Sequence, residues 1–312
     1  MKQSPQIIIL GSGMSAIACA SNLSKDLDLK IYDKARGIGG RLCAKNDDGK
    51  IFHLGAQFCT AKTNDFQKFL SSNGVQLFQG DISDVSSGLT ISPKDYFVHS
   101  EGMHCLLTKS SSLLNIAFQE QAIEVRISDK KIVFASGAEI AFDVLISSLP
   151  LPQAQQLLGM PITNDLAFYP CLAVGLVLDQ ALKTNFTAFK NVDSQIAWAS
   201  SSRTYNSERE ETWVVHFSPT ASIESRDQLD EWLVKTALLA LNSATSSSAS
   251  MKSFKVFRWR YAMCDKNLNA EPFHEVSKDI FTIGDWHISP RVESAFTSGL
   301  SLAKHLNSKF NA

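Results

Sequence analysis

The chain has 312 residues and a formal net charge of −1, with 44% hydrophobic and 20% charged residues. This length favours about two domains with a sizeable core, and the near-neutral charge gives no electrostatic reason to expect a nucleic acid or an anionic membrane surface as partner. No window approaches 18 apolar residues, so we expect no transmembrane helix.

The six cysteines are scattered and form no CxxC pair, and the seven histidines form no HxxxH or HExxH pattern. We therefore expect a reducing compartment, the cytoplasm, with neither a metal site nor a disulfide framework. The apolar run near the N-terminus, Ile7–Leu10, ends at a glycine and is too short for a signal peptide. It predicts a strand over residues 6–10.

A glycine-rich turn follows this strand and leads into a predicted helix over residues 14–24. Gly11 allows the tight turn, and Gly13, which has no Cβ, lets the backbone approach a pyrophosphate. Ala16 is small enough for close packing of the helix on the strand. The helix N-terminus directs free N–H groups and a positive dipole end at the same place, which suits an anion.

A second strand, predicted for residues 28–33, ends in Asp33, which lies 22 residues after Gly11. A carboxylate at this spacing accepts hydrogen bonds from an adenosine ribose and disfavours a 2′-phosphate. The pattern therefore indicates a βαβ unit that binds FAD or NAD rather than NADP. The alternative is an ordinary strand-to-helix turn followed by an exposed aspartate.

Shorter elements follow, and two prolines at 150 and 152 predict a crossover, since proline stops both a helix and a central strand. The later chain predicts mostly antiparallel strand between residues 170 and 218. The remaining predicted elements are a loop over 37–41, a helix over 64–73, short strands over 74–100, a helix over 102–114, two or three strands ending at Phe134 and another at Ile140, an apolar strand over 144–146, a helix over 226–242, a polar loop over 243–250, and a strand over 255–261.

The last segment has a strand, Ile280–Ile283, that runs into Gly284 and Asp285. Ser289 is a good N-cap and Pro290 suits a first helical position, so we expect a helix over residues 290–307. Its N-terminal N–H groups would stabilise negative charge, such as that at the N1–C2=O edge of a reduced flavin. The alternative is a plain packing element.

Taken together, several blocks of the sequence resemble the FAD-containing amine oxidase superfamily, and more narrowly the renalase family in its bacterial form. They occur in order from about residue 6 to residue 306. The blocks are Gly11-Ser12-Gly13, Asp33 to Gly37 with Gly39-Gly40-Arg41, Gly55-Ala56-Gln57-Phe58, Gly102-Met103, Leu149 to Gln153, Trp213 to His216, Arg258 to Ala262, and Gly284-Asp285-Trp286 with Arg291 to Ala295.

The resemblance implies an α/β fold of the p-hydroxybenzoate-hydroxylase type, in which a Rossmann-like FAD-binding domain carries a mostly antiparallel β substrate domain. We expect the first domain to comprise residues 1–74, 99–152 and 263–312, and the second to comprise residues 75–98 and 153–262. FAD would be bound non-covalently, although Cys59 and His53 leave a covalent link open. The implied cofactor-binding residues are Gly11, Gly13, Met14, Ser15, Ala16, Asp33, Lys34, Gly40, Arg41, Ala56, Gln57, Phe58, Ala122, Asp285, Arg291, Val292 and Glu293.

Within this set the resemblance implies distinct roles. Arg41 would reach the phosphates, and Asp285 would take the ribitol or pyrophosphate region. Gln57 would lie near the flavin ring, and Val292 with Glu293 would present backbone N–H groups to the isoalloxazine. The chain departs from the family at His53, where an acid is usual, and at Lys45, where an arginine is usual. These departures put local hydrogen bonding and substrate charge preference in doubt.

The implied activity is oxidation of 2- and 6-dihydro isomers of NAD(P) to NAD(P)⁺, with O2 reduced to H2O2. Such a donor becomes aromatic as its hydride leaves, so orientation in an aromatic pocket would supply most of the acceleration. The alternatives are a flavin-containing amine oxidase and a non-catalytic FAD-binding redox module. The substrate, the physiological electron acceptor and the oligomeric state stay open.

Strand alternation suggests the walls of the pocket. Trp213, Val215 and Phe217 share one face, opposite Val214 and His216, and Trp259 shares a face with Tyr261. The side chains expected to approach the substrate are Trp198, His216, Trp259 and Trp286, with His216, Trp259, Trp286 and Gln57 as catalytic candidates. The alternative is that each tryptophan is a core residue and that His216 is a structural histidine. Arg258 and Arg260 would bind a substrate phosphate or lie on an exposed strand face.

Overall fold

A computed structural model describes residues 5–160, 166–206, 210–267 and 270–310. The expected domain ranges and the predicted strand region over 170–218 extend over some residues outside these ranges. The strands of the described residues are β1 (Gln6–Leu10), β2 (Asp28–Asp33), β3 (Lys45–Asp47), β4 (Lys50–Phe52), β5 (Cys59–Thr60), β6 (Gln76–Leu77), β7 (Ile82–Asp84), β8 (Leu89–Ile91), β9 (Tyr96–Val98), β10 (Ile116–Phe118), β11 (Ala122–Arg126), β12 (Lys131–Phe134), β13 (Glu139–Ala141), β14 (Val144–Ser147), β15 (Phe168–Leu178), β16 (Ala188–Lys190), β17 (Ile196–Ser201), β18 (Thr212–Phe217), β19 (Met251–Cys264), β20 (Phe273–Ser277) and β21 (Ile280–Ile283).

The helices of the same residues lie between these strands and after the last one. None of the described helices has an apolar stretch long enough to cross a membrane. They are α1 (Met14–Asn22), α2 (Asn64–Ser72), α3 (Thr108–Ser111), α4 (Leu151–Leu158), α5 (Pro219–Glu224), α6 (Asp230–Thr245) and α7 (Val292–Phe310), with short 3₁₀ turns at Gly40–Leu42, Met103–Leu107, Ser202–Thr204 and Asp285–His287.

A six-stranded sheet forms the first half of the fold, in the order β10-β2-β1-β14-β21-β20. Every pairing in it is parallel except that of β20 with β21. Strand β1 is central and apolar because both faces are covered. Ile7 and Ile9 pack against α1 and α7, whereas Ile8 and Leu10 pack against β12 and α4. This is the Rossmann-like arrangement expected from the N-terminal pattern.

A seven-stranded sheet forms the second half, in the order β19-β15-β18-β17-β16-β7-β8. Its pairings are antiparallel apart from that of β16 with β7. The alternation predicted for β18 is confirmed. Trp213, Val215 and Phe217 join a core beneath α6, and Val214 faces the opposite side. The fold class is therefore α/β with a second, mostly antiparallel sheet.

The second face of this sheet meets the chain just after β4. Phe52 and Leu54 pack there with Ala173 and Val214. A Cβ at Gly175 would overlap the ring of Phe52, so glycine at this strand position lets the ring lie against the sheet. The contact brings residues 52–58 over the sheet, and these residues include much of the candidate site.

Two element predictions need correction. The helix expected over 102–114 is a 3₁₀ turn followed by one α-helical turn, α3, because the hydroxyls of Ser111 and Ser112 donate to the Thr108 and Lys109 carbonyls and so compete with a longer helix. The chain crosses at Pro150 and Pro152 from β14 of the first sheet to β15 of the second, as expected, but the prolines begin helix α4 rather than stop a helix, since proline is tolerated in a first helical turn.

Other boundaries differ from expectation. The helix predicted over 226–242 is α6, which begins at Asp230, and α5 precedes it. The last helix begins at Val292, so Ser289 is not its N-cap; its hydroxyl bonds to that of Ser294 instead. The segment 75–98 divides, because β9 pairs with both β5 and β6 in a small separate sheet, whereas β7 and β8 extend the second sheet. The interleaved domain boundaries stay a prediction.

Candidate functional site

The glycine turn after β1 is built as the sequence suggests. Gly11 has a φ of +97°, and a Cβ there would overlap the hydroxyl of Ser148, so only glycine fits. At Gly13 an added Cβ would meet no protein atom nearer than the Gly39 carbonyl oxygen at 4.0 Å. The protein itself therefore does not require glycine at position 13, whereas a ligand lying against this backbone would.

A second glycine segment closes on the first. The Gly39 N–H donates to the Ser12 carbonyl at 3.0 Å, and Gly39 pairs with Gly13 in an isolated bridge. Gly40 lies so close that a Cβ would be 3.5 Å from the Gly13 Cα. The structure thus brings Gly40 and Arg41 beside Gly11, Gly13 and the first turn of α1.

Asp33 lies at the end of β2, as predicted, and its carboxylate already has protein partners. Oδ2 accepts from the Ser12 N–H at 2.7 Å and from the Ser12 hydroxyl at 2.6 Å, while Oδ1 accepts from the Ala35 N–H at 2.7 Å. The Glu120 N–H also donates to the Asp33 carbonyl, which brings the start of β11, including Ala122, to this edge. Asp33 therefore holds the glycine turn, and its ribose contact stays a prediction.

Arg41 and Asp285 form a bidentate ion pair across the fold. Nη1 donates to Oδ2 at 3.0 Å, and Nη2 donates to Oδ1. Nη1 also donates to the Ala262 carbonyl at 3.0 Å, near the end of β19. Both amino groups of Arg41 are thus bonded to protein acceptors. This placement favours a role in holding Asp285, and the expected phosphate contact of Arg41 stays a prediction.

Helices α1 and α7 pack side by side, and each follows the carboxyl end of a parallel strand. A Cβ at Gly299 would overlap the Ser15 carbonyl oxygen and lie 2.9 Å from the Cys19 nitrogen, so the helices touch at backbone level. Val292 precedes Gly299 by seven residues, which places the start of α7 roughly 10 Å of helix rise beyond this contact. The N-termini of α1 and α7 therefore lie at the same edge of the first sheet.

The first turn of α7 supplies N–H groups with no acceptor inside their own helix. Val292 is partly buried and Glu293 buried, whereas Arg291 is exposed. The Glu293 side chain turns towards α2, where it accepts from the Lys62 N–H and from the N–H and hydroxyl of Thr63. The Glu293 carboxylate is therefore already bonded to protein donors, and the backbone N–H groups of this turn are left to meet a ligand.

Gln57 is buried and links residues 52–58 to the second sheet. Its Oε1 accepts from the Trp198 indole N–H at 2.8 Å and from the Ser200 hydroxyl. Because both partners donate, Oε1 is fixed as the oxygen, and the amide nitrogen lies 3.4 Å from His216 Nε2. Sequence analysis identified Gln57, Trp198 and His216 but missed Ser200, which shares a strand face with Trp198 two residues away.

His216 also lies 3.2 Å from the Leu54 carbonyl through Nε2. A carbonyl can only accept, so Nε2 carries the proton in this contact. The Gln57 amide nitrogen is also a donor, so its 3.4 Å approach to Nε2 is a packing contact and not a hydrogen bond. Burial lowers the pKa of His216 to about 4, against a smaller opposing effect of the Leu54 carbonyl. The imidazole is therefore neutral at physiological pH. The same carbonyl accepts from the Trp259 indole at 2.8 Å, which brings a third predicted residue here.

An aromatic group borders this network. The rings of Phe58 and Tyr96 stack with centroids 4.1 Å apart, and Trp198 lies 5.5 Å from Phe58. A β-bulge in β17 between Ile196 and Trp198 turns Trp198 to the Gln57 side, although Ile196 packs beneath α6. Gln57 and Phe58 thus lie against the face of the second sheet that carries Trp198, His216 and Trp259, as an aromatic pocket requires.

Trp286 does not join them. It is 3% exposed, packs with Leu151 and Cys264, and donates to the Leu149 carbonyl at 3.2 Å. This placement fits the core alternative for Trp286. Arg258 donates to the Gln228 carbonyl and pairs with Asp230, so it anchors α6. The expectation that Arg258 binds a substrate phosphate is not supported by these contacts.

His53 and Cys59, the two residues that a covalent link to FAD would use, are deeply buried. His53 is 2% exposed, its ring stacks on Tyr205 at 3.9 Å, and neither of its ring nitrogens has a hydrogen-bond partner among the described residues. Burial lowers the pKa of His53 to about 3. Burial, with a smaller contribution from Glu293, raises the pKa of the Cys59 thiol to about 12. Cys59 is thus protonated and shielded, which disfavours it as a nucleophile.

These positions fit a dinucleotide with a ring system at one end. The glycine turn and the N-terminus of α1 suit a pyrophosphate, Asp33 suits an adenosine, and the N-terminus of α7 suits an anionic ring edge. No cluster of metal-ligating side chains occurs in the described ranges.

Comparison with known proteins agrees with this arrangement. Residues 9–72 match the family model described as an NAD(P)-binding Rossmann-like domain. A candidate protoporphyrinogen oxidase from Exiguobacterium sp. 255-15 superposes with a TM-score of 0.78 at 12% identity, covering 98% of this chain and 99% of that chain.

Two further solved structures are similar over nearly their full lengths. Reduced UDP-galactopyranose mutase gives a TM-score of 0.77 at 12% identity, covering 99% of this chain and 95% of that chain. Wild-type putrescine oxidase bound to putrescine gives 0.75 at 12% identity, covering 98% and 99%. At these identities the similarity shows the fold, and the expected fold class is confirmed.

Proposed function

We propose that the protein is an FAD-dependent oxidase that converts 2- and 6-dihydro isomers of NAD(P) to NAD(P)⁺, while O2 is reduced to H2O2. The proposal is carried by one combination of features. The N-termini of α1 and α7 lie at one edge of the first sheet, and an aromatic wall of uncharged side chains lies on one face of the second sheet. In that wall the polar groups are Gln57, His216 and Ser200, and none of them is charged at neutral pH.

The cofactor half rests on the edge of the first sheet. The N–H groups of α1 and the open backbone at Gly13 would hold the pyrophosphate, and the N–H groups at Val292 and Glu293 would meet the ring edge. FAD, when bound, supplies the acceptor for two electrons.

The substrate half rests on the face shared by Gln57 and Trp198. A dihydronicotinamide gives up a hydride without needing a strong base, because the ring that remains is aromatic. The chain's residues would then need to stack and orient the donor and to exclude water. A neutral His216 and the indoles of Trp198 and Trp259 meet that need, and the partner is a small molecule with O2 as second substrate.

The test begins with the absorption spectrum of the purified protein. We expect a flavin spectrum, with FAD released on denaturation, because the attachment is non-covalent. Anaerobic addition of each donor isomer should then bleach the flavin, and admission of O2 should restore the colour and produce H2O2. A colourless protein that takes up no FAD would contradict the cofactor proposal, and a flavin bleached by neither isomer would contradict the substrate proposal.

An amine oxidase is the second candidate, because the aromatic rings of the site could flank an amine. An amine cage needs two rings with a gap between them, however, and the Phe58 and Tyr96 rings are stacked 4.1 Å apart, which leaves no room for an amine between these two rings. Rapid bleaching by primary or secondary amines, with none by the dihydronicotinamides, would decide for it. A flavin that neither donor class reduces would indicate a non-catalytic redox module.

A further inference from the structure

Glu293 is a buried acid whose partners are all hydrogen-bond donors. Its side chain belongs to a residue that is 7% exposed. Oε1 accepts from the Lys62 N–H at 2.9 Å, the Thr63 N–H at 2.7 Å and the Thr63 hydroxyl at 2.8 Å, and Oε2 accepts from the Lys62 N–H at 3.1 Å. These contacts suit a carboxylate, which only accepts.

Dipoles, rather than a cation, are the partners of this carboxylate. Lys62 takes part through its backbone N–H, and Thr63 is the N-cap of α2, so the carboxylate lies at the N-terminus of a second helix. Hydrogen bonds from neutral donors stabilise a charge but do not cancel it. In a buried setting the charge therefore acts over a longer distance than an exposed one would.

The same residue belongs to the first turn of α7. The N–H groups of Val292 and Glu293 form the positive end of that helix, and the Glu293 carboxylate departs from the same turn, whose pitch is about 5.4 Å. A group bound at these N–H groups therefore feels both a positive helix end and a nearby negative charge. The two act in opposite directions on any negative charge that the bound group gains.

We infer that Glu293 is a positioning residue whose buried charge holds the reduction potential of the bound flavin below the value that the bare N-terminus of α7 would give. The inference rests on the proposed binding of FAD. A lower potential makes reoxidation by O2 more favourable at the expense of reduction by the donor. Thr63 shares in this control, because its hydroxyl stabilises the carboxylate.

The test compares midpoint potentials of the FAD-loaded protein, measured by equilibration with reference dyes. Glu293→Gln removes the charge and should shift the reduction equilibrium at least tenfold towards reduced flavin, which is about +30 mV for a two-electron couple. Thr63→Val keeps the charge but removes one donor, so it should shift the equilibrium the other way. A purely structural role would weaken the fold in both variants without opposite shifts in potential.

Asp65→Asn is the matched control, because Asp65 is an exposed acid in the first turn of α2. It should leave the potential unchanged, since solvent screens its charge. If Glu293→Gln does not fold, Thr63→Val alone decides, and an unchanged or raised potential overturns the inference. FAD bound with equal potentials in all variants overturns the inference but leaves the proposed function standing, whereas a protein that binds no FAD overturns both.

Discussion

Individual residues divide here into those that the fold requires and those that a ligand would require. Gly11 belongs to the first group, because a Cβ would overlap Ser148. Gly13 belongs to the second, since nothing in the protein lies closer to its Cβ position than 4.0 Å. His53 has no hydrogen-bond partner for either ring nitrogen in the described part of the chain, so its polar atoms contribute only a cost.

Gly13→Ala should separate folding from cofactor binding. The methyl group has room in the protein, so we expect the free energy of unfolding of the apoprotein to stay within about 1 kcal/mol of wild type. The same methyl group would enter the space of the pyrophosphate, and FAD affinity should fall at least tenfold. Urea unfolding and fluorescence titration with FAD measure the two effects. Equal FAD affinity in variant and wild type would contradict the assignment of this turn.

His53→Phe should remove a dependence of stability on pH. Burial lowers the pKa of His53 from 6.5 to about 3, so between these values the unfolded chain binds a proton that the folded protein does not. The free energy of unfolding is therefore not reduced by His53 above pH 6.5, and it decreases as the pH falls from 6.5 towards 3. At pH 5 the loss is about 2 kcal/mol, since one pKa unit corresponds to about 1.4 kcal/mol.

Phenylalanine keeps the stacking on Tyr205 and cannot be protonated. The variant should therefore match or slightly exceed wild type at pH 7.5 and exceed it by about 2 kcal/mol more at pH 5. Urea unfolding at the two pH values gives the comparison. A difference between variant and wild type that is the same at both pH values would show that His53 does not titrate in this way.

Among the elements, the pair α1 and α7 defines the edge where the cofactor would bind. The two helices approach at Gly299, where the neighbouring backbone of Ser15 and Cys19 leaves no space for a side chain. This contact fixes where α7 begins relative to the glycine turn. The bulge in β17 has a similar role, because it turns Trp198 towards Gln57.

Gly299→Ala should force the two helices apart. The added carbon would overlap the Ser15 carbonyl, and backbone atoms cannot yield as a flexible side chain can, so we expect a loss of about 2–3 kcal/mol in the free energy of unfolding. Gly37→Ala is the control, since nothing lies within 4 Å of its Cβ position and its φ is not positive. Similar stabilities of the two variants in urea would contradict the close contact of α1 with α7.

At the scale of the whole molecule, the ion pair of Arg41 and Asp285 joins distant parts of the chain. It connects the glycine segment, the turn after β21 and, through the Ala262 carbonyl, the end of β19. The Asp285 side chain is 7% exposed, so loss of Arg41 would leave a charge with little access to water. Both sheets are therefore tied together at the place where cofactor and substrate would meet.

A double-mutant cycle with Arg41→Met and Asp285→Asn should measure this tie. We expect a coupling energy of about 2 kcal/mol, because each single change leaves a partly buried charge unpaired while the double change leaves none. The exposed pair of Lys304 and Asp65 serves as control and should give at most about 0.5 kcal/mol. Additive effects of the Arg41 and Asp285 changes in urea unfolding would show that the pair does not link the segments.

The sequence by itself determined the periodic elements and the glycine turn. Strand β2 was predicted to the residue, and the faces of β18 followed from alternation, because period and turn chemistry are local properties. Helix α4 was missed, since a proline that ends one element can also begin another. The helix expected to start at Pro290 begins at Val292 instead.

Only the tertiary structure decided which side chains meet. Gln57 bonds to Trp198 across 141 positions and to Ser200 across 143, and the bulge that makes this possible has no signal in the sequence. The pairing of Arg41 with Asp285 likewise spans 244 positions. Such contacts depend on strand register and helix packing, which are set by the whole core rather than by neighbouring residues.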